Sequence, residues 1–130
     1  MRYLLDSNAV IVLLEGHGGF SERLRRHRPE DVAISAIVAH EFYYGAYRGR
    51  RSAENLARVE ALRFEVVGFD REDARHAGRI RAALAAAGTP IGPYDVLIAG
   101  QAAARGLTLI THNTREFDRV GELRTEDWEV

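Results

Sequence analysis

Hydrophobic residues follow two alternating patterns along this chain. Short, continuously apolar runs predict buried strands, whereas apolar residues spaced three and four apart predict helices. The runs that we predict to be strands are Tyr3–Leu5, Val32–Ile34, Phe64–Val67 and Leu107–Ile110, with a fifth at Trp128–Val130. Short apolar strands that alternate with helices are typical of a mostly parallel sheet covered on both faces. The pattern therefore predicts one α/β domain over residues 1–130.

Capping and helix-breaking residues predict the helix boundaries between these strands. The predicted helices are Asn8–Glu15, Phe20–Arg28, a helix from the N-cap Ser35 to about Tyr47, Ser52–Leu62, one that starts at Asp70 and ends at Gly88, and one from Gly92-Pro93 to about Arg105. The glycine-rich segments Gly16–Gly19 and Gly49–Arg51 are predicted to be loops or turns. Asp70 and Asp73 have the spacing of a capping box.

Composition and charge exclude several classes of function. The chain has 130 residues, 46% of them hydrophobic, with no cysteine, and all 18 of its basic residues are arginine. Without lysine it is neither a P-loop NTPase nor a Schiff-base enzyme, and without cysteine it has no thiolate metal site. The formal net charge of −1 confines any nucleic-acid-binding face to a local patch. Because Asp6 interrupts the apolar N-terminal run, we predict no signal peptide or membrane span and expect a cytoplasmic protein.

Carboxylates occupy positions where the helical pattern calls for apolar residues. Glu41 falls near the middle of the inward stripe that Ile37, Val38, Phe42 and Gly45 define. Asp95 lies in the arc of apolar residues in the helix after Pro93, which comprises Val96, Ile98, Ala99, Ala102 and Ala103. A buried carboxylate needs a partner or a metal ion. For Glu41 the structural alternatives are a buried ion pair or an edge position with its head group in solvent, and for Asp95 a helix-dipole position.

Two further polar segments follow predicted strands. Asp6 ends the first strand, and Asn113 and Glu116 follow the fourth. Ligand sites of open α/β sheets lie at the carboxyl ends of the strands, although Asp6 could equally be a helix cap. Several carboxylates around one point repel each other unless a hard cation lies between them, so the pattern predicts an Mg²⁺ (or Mn²⁺) site.

Four segments in order resemble those of PIN domains, and most closely those of VapC toxins from type II toxin–antitoxin systems. They are Leu4–Asn8, Ile34–Glu41, Ile91–Ala99 and Thr111–Phe117, and Glu126–Trp128 is similar to a VapC tail. The resemblance implies a PIN-like three-layer fold with a central sheet of four to five strands. It also implies a metal-dependent endoribonuclease, usually a homodimer, that a VapB-type antitoxin inhibits.

The resemblance implies an acidic metal site at Asp6, Glu41 and Asp95. Asn113 stands where many PIN domains have aspartate, and Glu116 is the nearest substitute. From the chemistry of phosphodiester hydrolysis, we expect Asp6 and Asp95 to hold the cation, which activates water. Glu41 would be a further ligand or proton acceptor, and Asn113 and Glu116 would orient the water, with Ser7 and Thr111 in support. This route predicts 5′-phosphate and 3′-hydroxyl ends on the products.

An arginine rim around the acidic cleft is expected to attract RNA through its phosphates. The candidates are Arg23, Arg26, Arg48, Arg51, Arg75 and Arg79, with Arg25, Arg28 and Arg50 beside them. Solvated helix faces with local ion pairs are the structural alternative for each of them. Phe42, Tyr43, Tyr44 and Tyr47 crowd one helix, which favours core packing or a dimer interface over base stacking.

The main alternative is a degenerate PIN domain that binds RNA or a protein without cutting it, because Asn113 replaces an acid. Haloacid dehalogenase-type phosphatases and receiver domains are excluded by the missing lysine, and zincins by Tyr44 at the second histidine position. The histidines show no metal-ligand spacing, so His112 is predicted to be a surface or capping residue.

Overall fold

A computed structural model describes residues 1–16 and 18–129 and has a central sheet of five parallel strands. The strands are β1 (Tyr3–Leu5), β2 (Val32–Ser35), β3 (Glu65–Val67), β4 (Thr108–Ile110) and β5 (Arg124–Glu126). They are arranged in the order β3-β2-β1-β4-β5, with helices on both faces. This arrangement confirms the predicted α/β class and parallel sheet.

In the part of the chain that the structure describes, seven helices connect the strands, close to the predicted boundaries. They are α1 (Ser7–Leu14), α2 (Gly18–Arg25), α3 (Ala36–Arg48), α4 (Ser52–Glu60), α5 (Arg71–Ala86), α6 (Pro93–Arg105) and α7 (Thr114–Phe117), with a 3₁₀ turn at Pro29–Asp31. The loop prediction for Gly16–Gly19 is wrong at its end, because α2 begins at Gly18, while His17 lies outside the described residues. The short α7 was not predicted.

The prediction of a fifth strand at Trp128–Val130 is wrong. The strand is Arg124–Glu126, whose pairing with β4 sets Glu126 opposite Ile110. An edge strand is half exposed, so its polar sequence lacks the continuous apolar run by which we recognised the others. Trp128 instead packs into the core and is 1% exposed, while Val130 lies outside the described residues.

Helices α5 and α6 pack closely, with Gly100 against the backbone of Ala77. A Cβ atom on Gly100 would lie 2.5 Å from the Cα of Ala77, so the helices could not approach this closely with any larger residue. Asp73 completes the predicted capping box with Asp70 and accepts hydrogen bonds from Arg105 of α6 at 2.9 and 3.1 Å. These contacts fix the direction of α6, whose N-terminus carries Asp95.

The carboxyl ends of β1 and β4 mark the point where the strand order changes direction. From β1 the chain crosses to β2 on one side, and it later returns to β4 on the other. The loops that follow β1 and β4 therefore diverge and leave a crevice, which is the usual ligand site of such sheets. Among the described residues, no helix is long and apolar enough to cross a membrane.

Candidate active site

Asp6 lies at the centre of this crevice and is 3% exposed. It caps α1, because its Oδ1 accepts a hydrogen bond from the backbone N–H of Ala9 at 2.8 Å. Burial raises the pKa of the Asp6 carboxyl, and the charges of Glu129 and Glu41 raise it further, against hydrogen bonds from Thr111 and Ala9. Helix capping therefore gives one carboxylate oxygen of Asp6 a hydrogen-bond donor. The free-energy cost of burying its charge beside other acids remains.

Glu41 reaches the crevice from the middle of α3 and is half-buried. Ser7 Oγ donates a hydrogen bond to Glu41 Oε1 at 2.7 Å, so the serine that follows Asp6 orients the carboxylate of another element. The predicted inward stripe of α3 is partly wrong. Val38, Ala39 and Ala46 are the buried residues, whereas Gly45 is exposed. Glu41 thus lies at the border of the core, where its head group can face the crevice.

Asp95 stands in the first turn of α6 and is half-buried. Burial, the neighbouring charges of Glu116, Asp6 and Glu41, and a hydrogen bond with Glu116 together raise its pKa to about 6. Those charges belong to elements that are far apart in sequence. Asp6, Glu41 and Glu116 therefore lie close enough to Asp95 to act on its charge, although no three of these four acids have ligand atoms that all lie within 4.8 Å of one another.

Glu116 completes this group and is held by two donors. The backbone N–H of Gly92 donates to Glu116 Oε1 at 2.9 Å, and Asn113 Nδ2 donates to Glu116 Oε2. Asn113 is itself oriented at the end of β4, where its backbone N–H bonds the Thr111 hydroxyl at 3.0 Å. Asn113 therefore positions a neighbouring acid, and Glu116 supplies the carboxylate that Asn113 lacks.

The donor set fits a hard divalent cation. Carboxylate and hydroxyl oxygens are the ligands that Mg²⁺ and Mn²⁺ prefer. Burial raises the pKa of Asp95 and of Asp6, and the charges of neighbouring acids raise it as well, so a bound cation would favour the ionised carboxylates. Asp6, Glu41, Asp95 and Glu116 are the residues that could hold it.

The sequence interpretation missed a second polar cluster beside Asp6. His112 Nδ1 lies 2.9 Å from Asp127 and 3.5 Å from Glu129, and ligand atoms of the three side chains lie within 4.8 Å of one another. Its hydrogen bond with Asp127 and the charges of Asp127 and Glu129 raise the pKa of His112. Asp127 and Glu129 follow β5, far along the chain from His112, so no short spacing in the sequence reveals this cluster. The C-terminal segment thus borders the crevice.

The arginine candidates occupy several elements, and each contacts a neighbour. Exposed ion pairs join Arg26 to Glu22, Arg51 to Glu54, Arg75 to Glu72 and Arg79 to Glu122. Arg48 lies over the Tyr44 ring, and Arg23 donates to the Asp127 carbonyl at 3.1 Å. Exposed ion pairs of this kind are weak because solvent screens them, so the four paired guanidinium groups can exchange their partners for phosphate.

Core packing is the wrong interpretation for the tyrosines of α3. Tyr44 and Tyr47 are 62% and 66% exposed, and Tyr43 is 38% exposed, whereas Phe42 packs against the core. Phe42, Tyr43 and Tyr44 are consecutive, and Tyr47 follows one turn later. Their side chains therefore point in different directions around α3, and Phe42 is the one that faces the core. The tyrosines form an exposed aromatic face.

Comparisons with known proteins agree with this geometry. Residues 3–123 match the PIN domain family. The chain is 41% identical to a "tRNA(fMet)-specific endonuclease VapC" of Shigella flexneri over 98% of both chains, and 36% identical to a "Ribonuclease VapC2" of Haemophilus influenzae over 98% of both. A DNA-bound VapBC crystal structure from Salmonella typhimurium has a chain that superposes with a TM-score of 0.93 at 41% identity, covering 98% of each.

Proposed function

The chain belongs to the PIN domain family, and from that premise we propose that it is a metal-dependent endoribonuclease, the toxin of a type II toxin–antitoxin system. The observation that carries the proposal is the convergence of Asp6, Glu41, Asp95 and Glu116 at the carboxyl ends of β1 and β4. Relatives that are 36–41% identical over nearly their whole length carry endonuclease or ribonuclease names, which supports it.

Each acid has a distinct task in the proposed reaction. Asp6 and Asp95 would hold Mg²⁺ or Mn²⁺, and Glu41 would be a further ligand or accept a proton from the attacking water. A divalent cation in this position would activate water and neutralise charge on the scissile phosphate. Glu116, oriented by Asn113 and Gly92, faces the same space and aligns the water. Ser7 and Thr111 hold Glu41 and Asp6 by hydrogen bonds.

RNA would approach over exposed arginines outside the acidic group. Arg23, Arg26, Arg48, Arg51, Arg75 and Arg79 supply phosphate contacts, which give affinity without reading sequence. The exposed ion pairs of Arg26, Arg51, Arg75 and Arg79 open at little cost because solvent screens them. The proposed substrate class is RNA. A preference for a particular RNA sequence would depend on contacts other than these phosphate contacts.

The proposed partners are a VapB-type antitoxin and a second copy of the chain. An apolar groove lined by Ile11, Leu14, Phe42, Ala46 and Val59 runs between α1, α3 and α4 and reaches Glu41. An apolar antitoxin segment in this groove would end beside the acids and exclude RNA from them. The exposed tyrosine face of α3, which bears Tyr44 and Tyr47, supports an interface between two copies.

We expect the purified protein to cleave structured RNA with Mg²⁺ or Mn²⁺ and to lose that activity in EDTA. The products should carry 5′-phosphate and 3′-hydroxyl ends, because a water that enters the crevice attacks the phosphorus in place of the 2′-hydroxyl. End-specific ligation and phosphatase treatment of the fragments distinguish these ends from cyclic phosphates. Asp95→Asn, prepared in parallel, reports any contaminating nuclease.

Cyclic phosphate products, or equal cleavage by wild type and Asp95→Asn, would contradict the proposal. RNA binding without cleavage under every cation condition would instead identify a binding module.

Cation binding should weaken as the pH falls through about 6, since a proton on Asp95 competes with the cation. A carboxyl group whose pKa is raised in the folded state stabilises the fold below its ordinary pKa and loses that contribution as the pH rises through about 6. Mn²⁺ would restore this lost stability by binding the ionised carboxylate of Asp95. The melting-temperature increase with Mn²⁺ should therefore be much larger at about pH 7.5 than at about pH 5.

Thermal unfolding in EDTA and in Mn²⁺ across this pH range measures the effect. Asp95→Asn is the matched control and should remove most of the pH dependence. A Mn²⁺-induced shift that does not change with pH would place the cation away from Asp95.

A further inference from the structure

Gly92 immediately precedes α6, and its backbone conformation does not explain why it is glycine. Its φ of −55° and ψ of 150° are open to every L-amino acid. It is also the N-cap of α6, a position where serine, threonine, aspartate or asparagine stabilises a helix, and here no side chain caps the helix. Local stability would therefore favour a different residue.

The Asp95 carboxylate occupies the space that a side chain on Gly92 would need. A Cβ atom built on it would lie 2.8 Å from Asp95 Oδ2 and 3.5 Å from Asp95 Cγ. The obstructed atom is the end of a flexible side chain, so a methyl group would turn the carboxylate away and leave the backbone in place. The same residue donates its N–H to Glu116 Oε1 at 2.9 Å.

We propose that Gly92 is a positioning residue of the acidic site, where its missing side chain makes room for the Asp95 carboxylate while its N–H holds Glu116 opposite. One residue thus fixes the separation of two acids that α6 and the segment after β4 contribute. The inference rests on the proposed function for its effect on catalysis, but its effect on cation binding can be measured without RNA.

The test compares glycine-to-alanine variants at three places. Gly92→Ala should fold with an unchanged melting temperature in EDTA, and its Mn²⁺ affinity, measured by calorimetry, should fall about 10-fold or more. The kcat for RNA should fall about 10- to 100-fold with little change in KM, because the RNA-binding arginines are untouched. Gly92→Pro fits the same φ and also removes the N–H, so it should lower the Mn²⁺ affinity further.

Two control variants separate positioning from damage to the fold. Gly78→Ala is exposed on α5 with no atom within 4 Å of the new Cβ, and it should leave affinity and kcat unchanged. Gly100→Ala, whose Cβ would meet the Ala77 backbone, should lower the melting temperature and so shows what damage to the packing of α5 and α6 looks like.

Wild-type Mn²⁺ affinity in Gly92→Ala, or a fall in melting temperature like that of Gly100→Ala, would overturn the inference. If the wild-type protein binds Mn²⁺ but cuts no RNA, the proposed function fails, while the affinities of the variants still decide the role of Gly92. A wild-type protein that binds no Mn²⁺ overturns both.

Discussion

Asp6→Asn should abolish RNA cleavage, by about 10³-fold or more, without unfolding the protein. The carboxylate lies at the centre of the acidic group, and its ionised form is disfavoured by burial and by the charges of Glu129 and Glu41. Asparagine has nearly the same shape and caps helices as well as aspartate does. The hydrogen bond from Ala9 can therefore persist, while the charge that attracts a cation is lost.

The melting temperature of Asp6→Asn should equal or exceed that of the wild type in EDTA at neutral pH. The raised pKa of Asp6 means that the ionised carboxyl destabilises the folded state there, and the amide removes this cost. In Mn²⁺ the order should reverse, because only the wild type gains stability from the cation. Single-turnover cleavage and thermal unfolding with and without Mn²⁺ measure both effects.

Asp70→Asn is the matched control, since Asp70 caps α5 in the way that Asp6 caps α1 and lies outside the crevice. It should keep wild-type cleavage. If Asp6→Asn cleaved RNA as fast as Asp70→Asn, Asp6 would have no role in the reaction.

The acids could be predicted from sequence because they violate a pattern. Asp6 ends an apolar strand, and Glu41 and Asp95 interrupt apolar helix faces, so each stands out against its neighbours. Parallel strands place their carboxyl ends at one edge of the sheet, which is enough to predict that Asp6 and Asp95, 89 positions apart, lie near each other. Asp6 and Asp95 also have the ordinary structural roles that were the alternatives for them: Asp6 caps α1, and Asp95 lies in the first turn of α6.

The contacts that orient these acids could not be predicted in the same way. The hydrogen bond between Ser7 and Glu41 spans 34 residues, and that between Gly92 and Glu116 spans 24. Both depend on how α1, α3 and α6 pack, and no periodicity of the chain encodes that packing. Gly92 in particular is indistinguishable in sequence from an ordinary helix-opening glycine.

The C-terminal segment shows the same limit for secondary structure. Arg124–Glu126 forms an edge strand of polar residues, whereas the apolar Trp128 that suggested a strand is a core residue. A tryptophan fits either role, and only the register of β5 on β4 decides between them. The same register places Asp127 and Glu129 beside His112, for which the sequence predicted only a surface or capping role.

Trp128→Ala should destabilise the fold by about 3–5 kcal/mol, a large part of the total stability of a domain of this size. The indole is 1% exposed and stacks on His27 at 4.7 Å between ring centroids. It also contacts the rings of Tyr3 at 5.1 Å and Phe20 at 5.8 Å. Truncation would leave a cavity between β1, α2 and the C-terminal segment, which the rigid sheet cannot fill. Urea unfolding followed by far-ultraviolet circular dichroism measures the loss, since the variant has no tryptophan fluorescence.

Trp128→Phe separates ring packing from the polar contact of the indole. Phenylalanine keeps an aromatic ring against Tyr3 and Phe20 but loses the hydrogen bond from Nε1 to Glu126 at 3.1 Å, which contributes about 1 kcal/mol. It should therefore retain well over half of the stability that alanine removes. If alanine costs less than about 1 kcal/mol, Trp128 does not anchor the C-terminal segment. The position of Asp127 and Glu129 beside the crevice would then need another cause, because Trp128 lies between them in sequence and is the buried residue of that segment.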